Sequence, residues 1–248
     1  EIEDFGKKTL FDILKIKRSN KFKIYKRILV TLIKLQNIKV KKIKNFKKKF
    51  YKIPIYSKSL LLEEVNLFFK WYVPHIFNKK KRFKINSQLR KVISSLLKKI
   101  KLPNNTFVHR DFHVSNLMLK KRVISVIDSQ DAVYGNIAYD LASLIDDVRL
   151  RTSKNMKEMI YKEYLYLNKK KINIKKFKND FEILSVLRNL KIIGIFTRLA
   201  NRDNKKQYLK LIPHAWELIE LRIKNNYIFK DLKKNLETNF PKKIRIKK

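Results

Sequence analysis

The sequence contains no cysteine. This absence excludes a disulfide-bonded scaffold, a thiolate zinc site and a cysteine nucleophile, and it is typical of a reducing compartment. No charge-free apolar run approaches the roughly 20 residues that a membrane-spanning helix needs, and we expect no signal peptide. We therefore expect a cytoplasmic protein with no membrane partner.

Acidic residues are also scarce, with 21 Asp and Glu against 62 Lys and Arg, which gives a formal net charge of +41. Such an excess suggests a nucleic-acid partner, but 49 of the cations are lysine and only 13 are arginine. Arginine is the preferred reader of phosphates and bases, and the lysines here are dispersed over predicted loops rather than along one stripe. The excess of lysine over arginine is explained equally well by a genome that favours A/T-rich codons. We expect no specific nucleic-acid partner and keep a basic nucleic-acid-binding protein as the weakest alternative.

The sequence contains enough apolar residues to form a hydrophobic core, since 44% of the 248 residues are hydrophobic and 12% are aromatic. Apolar spacing of three and four residues predicts helices over 9–16, 22–38, 57–77, 86–100, 140–148, 154–167, 175–200 and 205–225. The lysine-rich segments 39–52 and 79–84 are predicted to be solvated connections, and the residues from 231 onward a basic, frayed tail.

One short stretch has β character. The runs Leu117–Leu119 and Val123–Ile127 flank a polar triplet that ends at Arg122, which predicts a hairpin. Asn116 and Asp128 each lie six residues from Arg122, so antiparallel pairing should bring their side chains together at the open end. The sequence thus predicts a mostly helical body with one small hairpin.

Asp111 lies in the loop that precedes this hairpin, five residues before Asn116. Two carboxylates and an amide oxygen suit a hard cation such as Mg²⁺ that also bridges nucleotide phosphates, and Asp111 could accept the proton of an attacking hydroxyl. Asp and Asn are also common turn-formers and helix caps, so an ordinary structural role for all three stays open.

The motifs around these residues resemble a known family. His109-Arg110-Asp111 with Asn116, then Ile127-Asp128, then Tyr139-Asp140-Leu141-Ala142 is similar to the catalytic core of the aminoglycoside phosphotransferase and choline kinase family, relatives of protein kinases. The resemblance is greatest to the branch of bacterial N-acetylmuramate/N-acetylglucosamine anomeric kinases. It covers the chain from Glu1 to about Leu218 and includes the stretches VHRDFHVSNLM, VIDSQDAVYGNIAYDLASL, LLLEEVNLFFKWY and RNLKIIGIFTRLANRDNKKQYL.

The resemblance implies an α+β, protein-kinase-like fold: a mostly helical C-terminal lobe with a small β-hairpin at the catalytic centre. It implies ATP-dependent phosphotransfer to a hydroxyl of a small molecule, with the anomeric hydroxyl of N-acetylmuramate or N-acetylglucosamine in cell-wall recycling as the leading acceptor. ATP and Mg²⁺ would be the cofactors, an amino sugar the partner and a monomer the expected state. An aminoglycoside- or choline-type kinase and a non-catalytic kinase-lobe remnant are the alternatives.

The resemblance also implies roles for single residues. Asp111 would be the catalytic base, and Asn116 and Asp128 the Mg²⁺ ligands. Asp140 would be structural, accepting hydrogen bonds from the backbone of the catalytic loop. We interpret His109 as a packed histidine that supports this loop, because a zinc pair with His113, four residues away, would lack a third ligand nearby.

At the N-terminus, residues 1–6 resemble the hinge whose backbone holds adenine, with Glu3, Asp4 and Phe5 as the contact residues. The expected domains are a hinge remnant (1–6), a C-terminal lobe (7–230) and a basic tail (231–248). The three glycines, Gly6, Gly135 and Gly194, form no Gly-rich phosphate loop. We therefore expect this chain to lack the family's small N-terminal lobe.

Two further groups are candidates for substrate binding. Glu64 and Trp71, seven residues apart, are predicted to share one helical face, where packing is the plainer role for Trp71. Arg198, Arg202 and Asp203 follow an apolar helix and would either cap it or bind the sugar. Ser129 is a departure from this branch, whose members more often have an aromatic residue after the metal-binding aspartate. Because that aromatic residue packs and does not bind the metal, we do not expect Ser129 to abolish activity.

Overall fold

The computed structural model describes residues 4–16, 20–44, 46–120, 123–168 and 172–246. Its α-helices are α1 (Leu10–Lys15), α2 (Lys21–Gln36), α3 (Lys58–Leu67), α4 (Val73–Ile76), α5 (Lys79–Lys98), α6 (Tyr139–Ile145), α7 (Lys154–Leu167), α8 (Ile174–Asn201), α9 (Ile212–Ile223), α10 (Lys230–Asn239) and α11 (Lys242–Arg245). A π-helical turn, Phe68–Tyr72, joins α3 to α4, and 3₁₀ turns occur at Val114–Asn116, Lys206–Leu211 and Tyr227–Phe229. Within the described part, no helix is long and apolar enough to cross a membrane.

The strands form three antiparallel pairs. They are β1 (Lys42–Lys44), β2 (Phe50–Lys52), β3 (Asn104–Val108), β4 (Leu117–Lys120), β5 (Val123–Val126) and β6 (Val133–Asn136). Strand β1 pairs with β2, β3 with β6, and β4 with β5. The predicted hairpin is thus confirmed as β4–β5, whereas the predicted solvated connection at 39–52 also contains a hairpin, β1–β2, whose residues are exposed.

Helix starts follow local capping. The side chain of Thr9 accepts from the backbone N–H of Asp12 and the Asp12 carboxylate accepts from that of Thr9, which forms a capping box for α1. The predicted loop at 79–84 is wrong, because α5 begins at Lys79. Its cap is Asn78, whose Oδ1 accepts from the backbone N–H of Lys81 at 3.2 Å, and lysine itself favours helix, so a run of positive charge does not end one.

Two compact units can be distinguished, Glu1–Tyr56 with Leu102–Phe181, and Ser57–Lys101 with Glu182–Lys248. In the first, the buried carboxylate of Asp180 accepts from the backbone N–H of Leu102 and from Nδ2 of Asn136, both at 2.7 Å. These bonds hold the approach to β3 against the end of β6. The opposite end of β3 is thereby fixed in position for the loop that follows it.

The core of the second unit is aromatic. The rings of Phe68, Tyr72 and Trp216 pack within 6 Å of one another, centroid to centroid. The hydroxyl of Tyr72 accepts from Nε1 of Trp216 at 3.1 Å. Burial raises the pKa of Tyr72 to about 12, so this hydroxyl stays protonated near neutral pH.

The predicted frayed tail is wrong over residues 231–246, which include most of α10 and all of α11. Leu232, Leu236 and Phe240, four residues apart, are fully buried, and the ring of Phe240 packs on Trp216 at 5.5 Å. Their helical spacing places all three on the face of α10 that packs into the core. The proposed boundaries at residues 6 and 230 stay predictions.

Gly194 allows two helices of the second unit to approach closely. A Cβ atom at this position would lie 2.3 Å from the carbonyl carbon of Leu67 and 2.4 Å from the nitrogen of Phe68. This is the junction at which α3 passes into the π-helical turn. Only a residue without a side chain leaves room for that backbone.

Candidate active site

The loop after β3 is held by a buried carboxylate. Asp140, in the first turn of α6, is fully buried, and its two oxygens accept the backbone N–H groups of His109 at 2.7 Å and Arg110 at 3.1 Å. Asp140 thus accepts hydrogen bonds from the backbone of this loop, as its position in the motif predicts. Arg110 has a left-handed φ of 73°, and the two charge-assisted bonds stabilise this turn of the backbone.

His109 links the loop to the strand that returns beside it. Its ring is buried, and Nε2 donates to the carbonyl oxygen of Ile127 at 3.0 Å. Burial lowers the pKa of His109, although the Ile127 carbonyl and the carboxylates of Asp111 and Asp128 oppose this shift. The ring is therefore neutral at pH 7, and both carboxylates lie within electrostatic range of it.

Asn116 is turned towards Asp111 by the 3₁₀ turn that ends at this asparagine. The Nδ2 group of Asn116 donates to the carbonyl oxygen of Asp111 at 3.1 Å, which fixes the orientation of the amide. Its other atom, Oδ1, accepts no hydrogen bond from the described residues. A side chain held in this way presents an oxygen that a cation could use.

Asp128 follows β5 with a left-handed φ of 67°, and its Oδ1 accepts from Nε2 of Gln130 at 2.7 Å. The predicted register is wrong by one residue. Leu117 lies opposite Val126, and the N–H of Ile127 donates to the carbonyl of Asn116 at 3.1 Å. Asn116 therefore faces Ile127, and Asp128 comes one position later, where its left-handed backbone ends the strand alternation.

The donor set suits a hard cation. No cluster of three or more His, Asp or Glu side chains suitable for a metal ion occurs among the described residues. Asp111, Asn116 and Asp128 could offer two carboxylates and one amide oxygen, the ligand types that Mg²⁺ takes alongside phosphate oxygens and water. That they hold a metal ion together stays a prediction. Asn116 would contribute Oδ1, which accepts no hydrogen bond from the described residues. A zinc site at His109 is disfavoured, because Nε2 of its ring already bonds the carbonyl of Ile127.

Comparison with known proteins agrees with the geometry of the loop. The profile of the phosphotransferase enzyme family (APH) matches residues 31–170, which is more than half of the chain. The chain belongs to this family.

Its curated relatives in the family carry one name. This chain is 33% identical over 166 residues to N-acetylmuramate/N-acetylglucosamine kinase of Neisseria meningitidis. The match covers 65% of this chain and 50% of the relative. The chain is 26% identical over 230 residues to the kinase of the same name from Pseudomonas aeruginosa, with 90% and 64% covered. The chain spans about half to two thirds of the length of these two relatives.

Solved structures confirm the fold of this family member. A Plasmodium vivax ethanolamine kinase superposes with a TM-score of 0.56 at 16% identity, with 90% of this chain and 64% of that chain covered. A spectinomycin phosphotransferase gives a TM-score of 0.51 at 16% identity, with 87% and 67% covered. The predicted protein-kinase-like fold is therefore confirmed.

The predicted hinge of this phosphotransferase-family chain is described in part, since Glu3 lies outside the described residues. The backbone of Gly6 donates to the side chain of Asp4 at 2.8 Å, and the carbonyl of Asp4 accepts from Nζ of Lys120 at 2.6 Å. Asp4 therefore lies beside the end of β4. The adenine contact predicted for Asp4 and Phe5 stays a prediction.

Glu64 and Trp71 do not share a helical face as predicted. The π-helical turn Phe68–Tyr72 contains Trp71 and interrupts the regular α-helical repeat, so a spacing of seven residues no longer places two side chains on one face. Glu64 is buried and its Oε1 lies 2.9 Å from Nζ of Lys191, itself buried. Sequence reasoning missed Lys191, although a lone lysine inside the apolar run of α8 was the available signal.

Arg198, Arg202 and Asp203 lie at the end of α8. Asn204 follows with a left-handed φ of 53°, and the N–H of Lys205 donates to the carbonyl of Leu199 at 2.9 Å. A residue with left-handed backbone just after the last turn is a common way for a helix to end.

The two charged side chains beside this cap pair with each other. Arg202 bonds both oxygens of Asp203, at 2.7 and 3.0 Å, and lowers the pKa of that carboxyl. The cluster therefore ends the helix, and its contact with a sugar stays a prediction.

Proposed function

We propose that the protein containing this chain transfers the γ-phosphoryl group of ATP to the anomeric hydroxyl of N-acetylmuramate or N-acetylglucosamine. The observation that supports the proposal is the clamped loop. Asp140 holds the backbone of His109, and His109 bonds the carbonyl of Ile127, which precedes Asp128. Asn116 donates to the carbonyl of Asp111. The names of the curated relatives support the amino sugar as acceptor. Cell-wall recycling in the cytoplasm is the setting that such an acceptor favours.

In this proposal Asp111 accepts the proton of the sugar hydroxyl as the new bond forms. The loop contributes mainly by positioning, because the bonds to Asp140 and Ile127 fix its backbone before substrate arrives. Asn116 and Asp128 would hold Mg²⁺, and when bound, Mg²⁺ and ATP would supply charge neutralisation and the phosphoryl group. The backbone of residues 3–5 would contact the adenine.

The test is an ADP-release assay of the natural protein that contains this chain. The acceptors are N-acetylmuramate, N-acetylglucosamine, choline, ethanolamine and an aminoglycoside. Turnover with either amino sugar supports the proposal. Turnover only with choline, ethanolamine or the aminoglycoside would reject the sugar and retain phosphotransfer, and no turnover with any acceptor would favour a non-catalytic kinase lobe.

The Asp111→Asn variant tests the proposed base. It keeps the shape of the side chain, so kcat should fall at least about a hundredfold while KM for the sugar changes little. The matched control is Asp131→Asn, an exposed carboxylate close by in the sequence, which should leave both constants unchanged. Equal losses in the two variants would count against Asp111 as the base.

A further inference from the structure

A second concave site lies in the first unit, away from the catalytic loop. Its cavity of about 530 Å³ is bordered by the base of the β1–β2 hairpin, the first residues of β3 and Tyr134 of β6. Asn104 and Asn105, which begin β3, line the cavity, whereas Asp111 follows the other end of this strand. Five residues of extended strand span about 15 Å, so the cavity and the proposed active site lie at opposite ends of β3.

The wall of the cavity is strongly positive. It is lined by three exposed lysines, Lys39, Lys41 and Lys52, and none of them forms an ion pair with a described residue. The sequence offers little compensation, because no acidic residue occurs between Asp12 and Glu63.

The β1–β2 hairpin adds to this field. Lys52 lies directly opposite Lys42 across the two strands. Like charges in that position repel each other, so an anion bound at the base of the hairpin would relieve the repulsion.

The remaining wall is apolar and held in place. Ile53 and the ring of Tyr134 are buried, and both line the cavity. The hydroxyl of Tyr134 donates to the carbonyls of Ile38 and Val40, at 3.1 and 3.2 Å, which fixes the ring. The cavity thus combines a cationic rim with a rigid apolar floor.

An amide donor completes the site. The Oδ1 atom of Asn105 accepts from the hydroxyl of Thr106 at 3.4 Å, and its Nδ2 group donates to no described residue. An amide N–H beside several ammonium groups is a donor set for phosphate oxygens.

We propose that this cavity binds a small organic phosphate, a phosphate monoester on a sugar-sized group. The lysines and Asn105 would take the phosphate, and Ile53 and Tyr134 would contact the rest of the molecule. The volume lies within the range of small-molecule pockets, whereas a polyanion would need an extended cationic groove. The proposal is independent of the phosphotransferase reaction, since it uses none of the residues placed in that site.

The test is calorimetric titration of the chain with ribose 5-phosphate, with ribose and inorganic phosphate as separate probes. We expect one saturable site for ribose 5-phosphate, weaker binding of inorganic phosphate and no binding of ribose. The pocket variant, Lys39→Gln with Lys41→Gln and Lys52→Gln, should weaken binding at least about tenfold. The matched variant, Lys44→Gln with Lys47→Gln and Lys48→Gln, removes the same charge from residues of the same hairpin that do not line the cavity. Its affinity should stay within about twofold of the original.

A second pair of variants tests the position of the site. Ile55 is exposed and lines the cavity, whereas Val40 is exposed and lies outside the lining. Ile55→Glu should abolish binding, and Val40→Glu should weaken it only slightly.

Three results would overturn the proposal. They are equal losses in the two triple variants, absence of any binding, and binding of an RNA homopolymer with a steep salt dependence while ribose 5-phosphate does not bind. The last result would instead identify the hairpin as a non-specific polyanion surface.

Discussion

The carboxylate of Asp140 accepts the backbone N–H of His109 at 2.7 Å, and 31 residues of sequence separate the two. This single contact connects the end of β3 to the start of α6 and fixes the loop that carries the proposed base. A fully buried carboxylate is costly unless such donors satisfy it. The loop and the carboxylate therefore depend on each other.

Replacing Asp140 should destabilise the protein. Asp140→Asn keeps the volume but loses one charge-assisted acceptor, so the free energy of unfolding should fall by about 2–4 kcal/mol. Urea denaturation followed by circular dichroism measures the change. Asp203→Asn, at an exposed ion pair, is the control and should change the midpoint little; similar shifts in both variants would contradict a special role for Asp140.

Stability should depend on the protonation of His109. Its pKa is lowered in the folded protein from the ordinary value of 6.5, so the unfolded chain binds a proton more readily than the folded one. The stabilising contribution is complete above pH 6.5 and is lost as the pH falls from there towards the folded pKa.

Denaturation of the protein and of His109→Gln at pH 7.5 and pH 5.5 tests this dependence. Glutamine can still donate to the Ile127 carbonyl, and it does not titrate. The original protein should lose more stability between the two pH values than the variant does. Equal losses would mean that His109 contributes nothing to the pH dependence.

In the buried ion pair of Glu64 and Lys191, removing one charge should destabilise the protein more than removing both. Lys191→Met leaves the Glu64 carboxylate buried without its partner at 2.9 Å, and should cost about 3–5 kcal/mol of unfolding free energy. The double variant Glu64→Gln with Lys191→Met removes both charges and should recover part of that loss. A double variant as unstable as the sum of the two single variants would show that the pair is not coupled.

Gly194 should not tolerate a methyl group. Gly194→Ala places Cβ against the backbone of Leu67 and Phe68, and the forced separation of the helices should cost at least about 1–3 kcal/mol in thermal or urea unfolding. At Gly135 the nearest atoms are side-chain atoms of Val108 and Tyr56 at 3.1–3.3 Å, which can shift. Gly135→Ala should therefore cost less, and the reverse order would contradict the packing argument.

The proposed metal site has its own prediction. In the natural protein containing this chain, Asp128→Ala should remove Mg²⁺-dependent ADP release at every Mg²⁺ concentration, since a carboxylate ligand is lost. Asp131→Ala is the matched control and should retain the original Mg²⁺ dependence. Activity that returns for Asp128→Ala at high Mg²⁺ would limit Asp128 to a secondary role.

The sequence was most informative where periodicity alone decides the structure. Helix α7 has the predicted bounds, 154–167, because its apolar residues follow a regular helical spacing. The motif also predicted the contact between Asp140 and the loop at His109, since in this family pattern a buried aspartate accepts hydrogen bonds from the backbone of that loop.

The errors arise where a local geometric detail overrides the pattern. The register of β4–β5 differs by one residue from the predicted one, so that Asn116 lies opposite Ile127 and not opposite Asp128. The π-helical turn that contains Trp71 has no periodic signal in the sequence. It begins where the backbone of Leu67 and Phe68 lies close to Gly194 of α8, a contact between positions far apart in the sequence.

The aromatic core of the second unit has a consequence for synthesis on the ribosome. Phe240 packs on Phe68, from which it is separated by 171 residues of chain. The rings of Phe69 and Tyr72 leave the ribosome with Phe68, but two further rings that pack on Phe68 arrive only with residues 216 and 240. Until those residues are synthesised, part of this apolar surface lacks its cover, and the completed core of this unit can form only after residue 240.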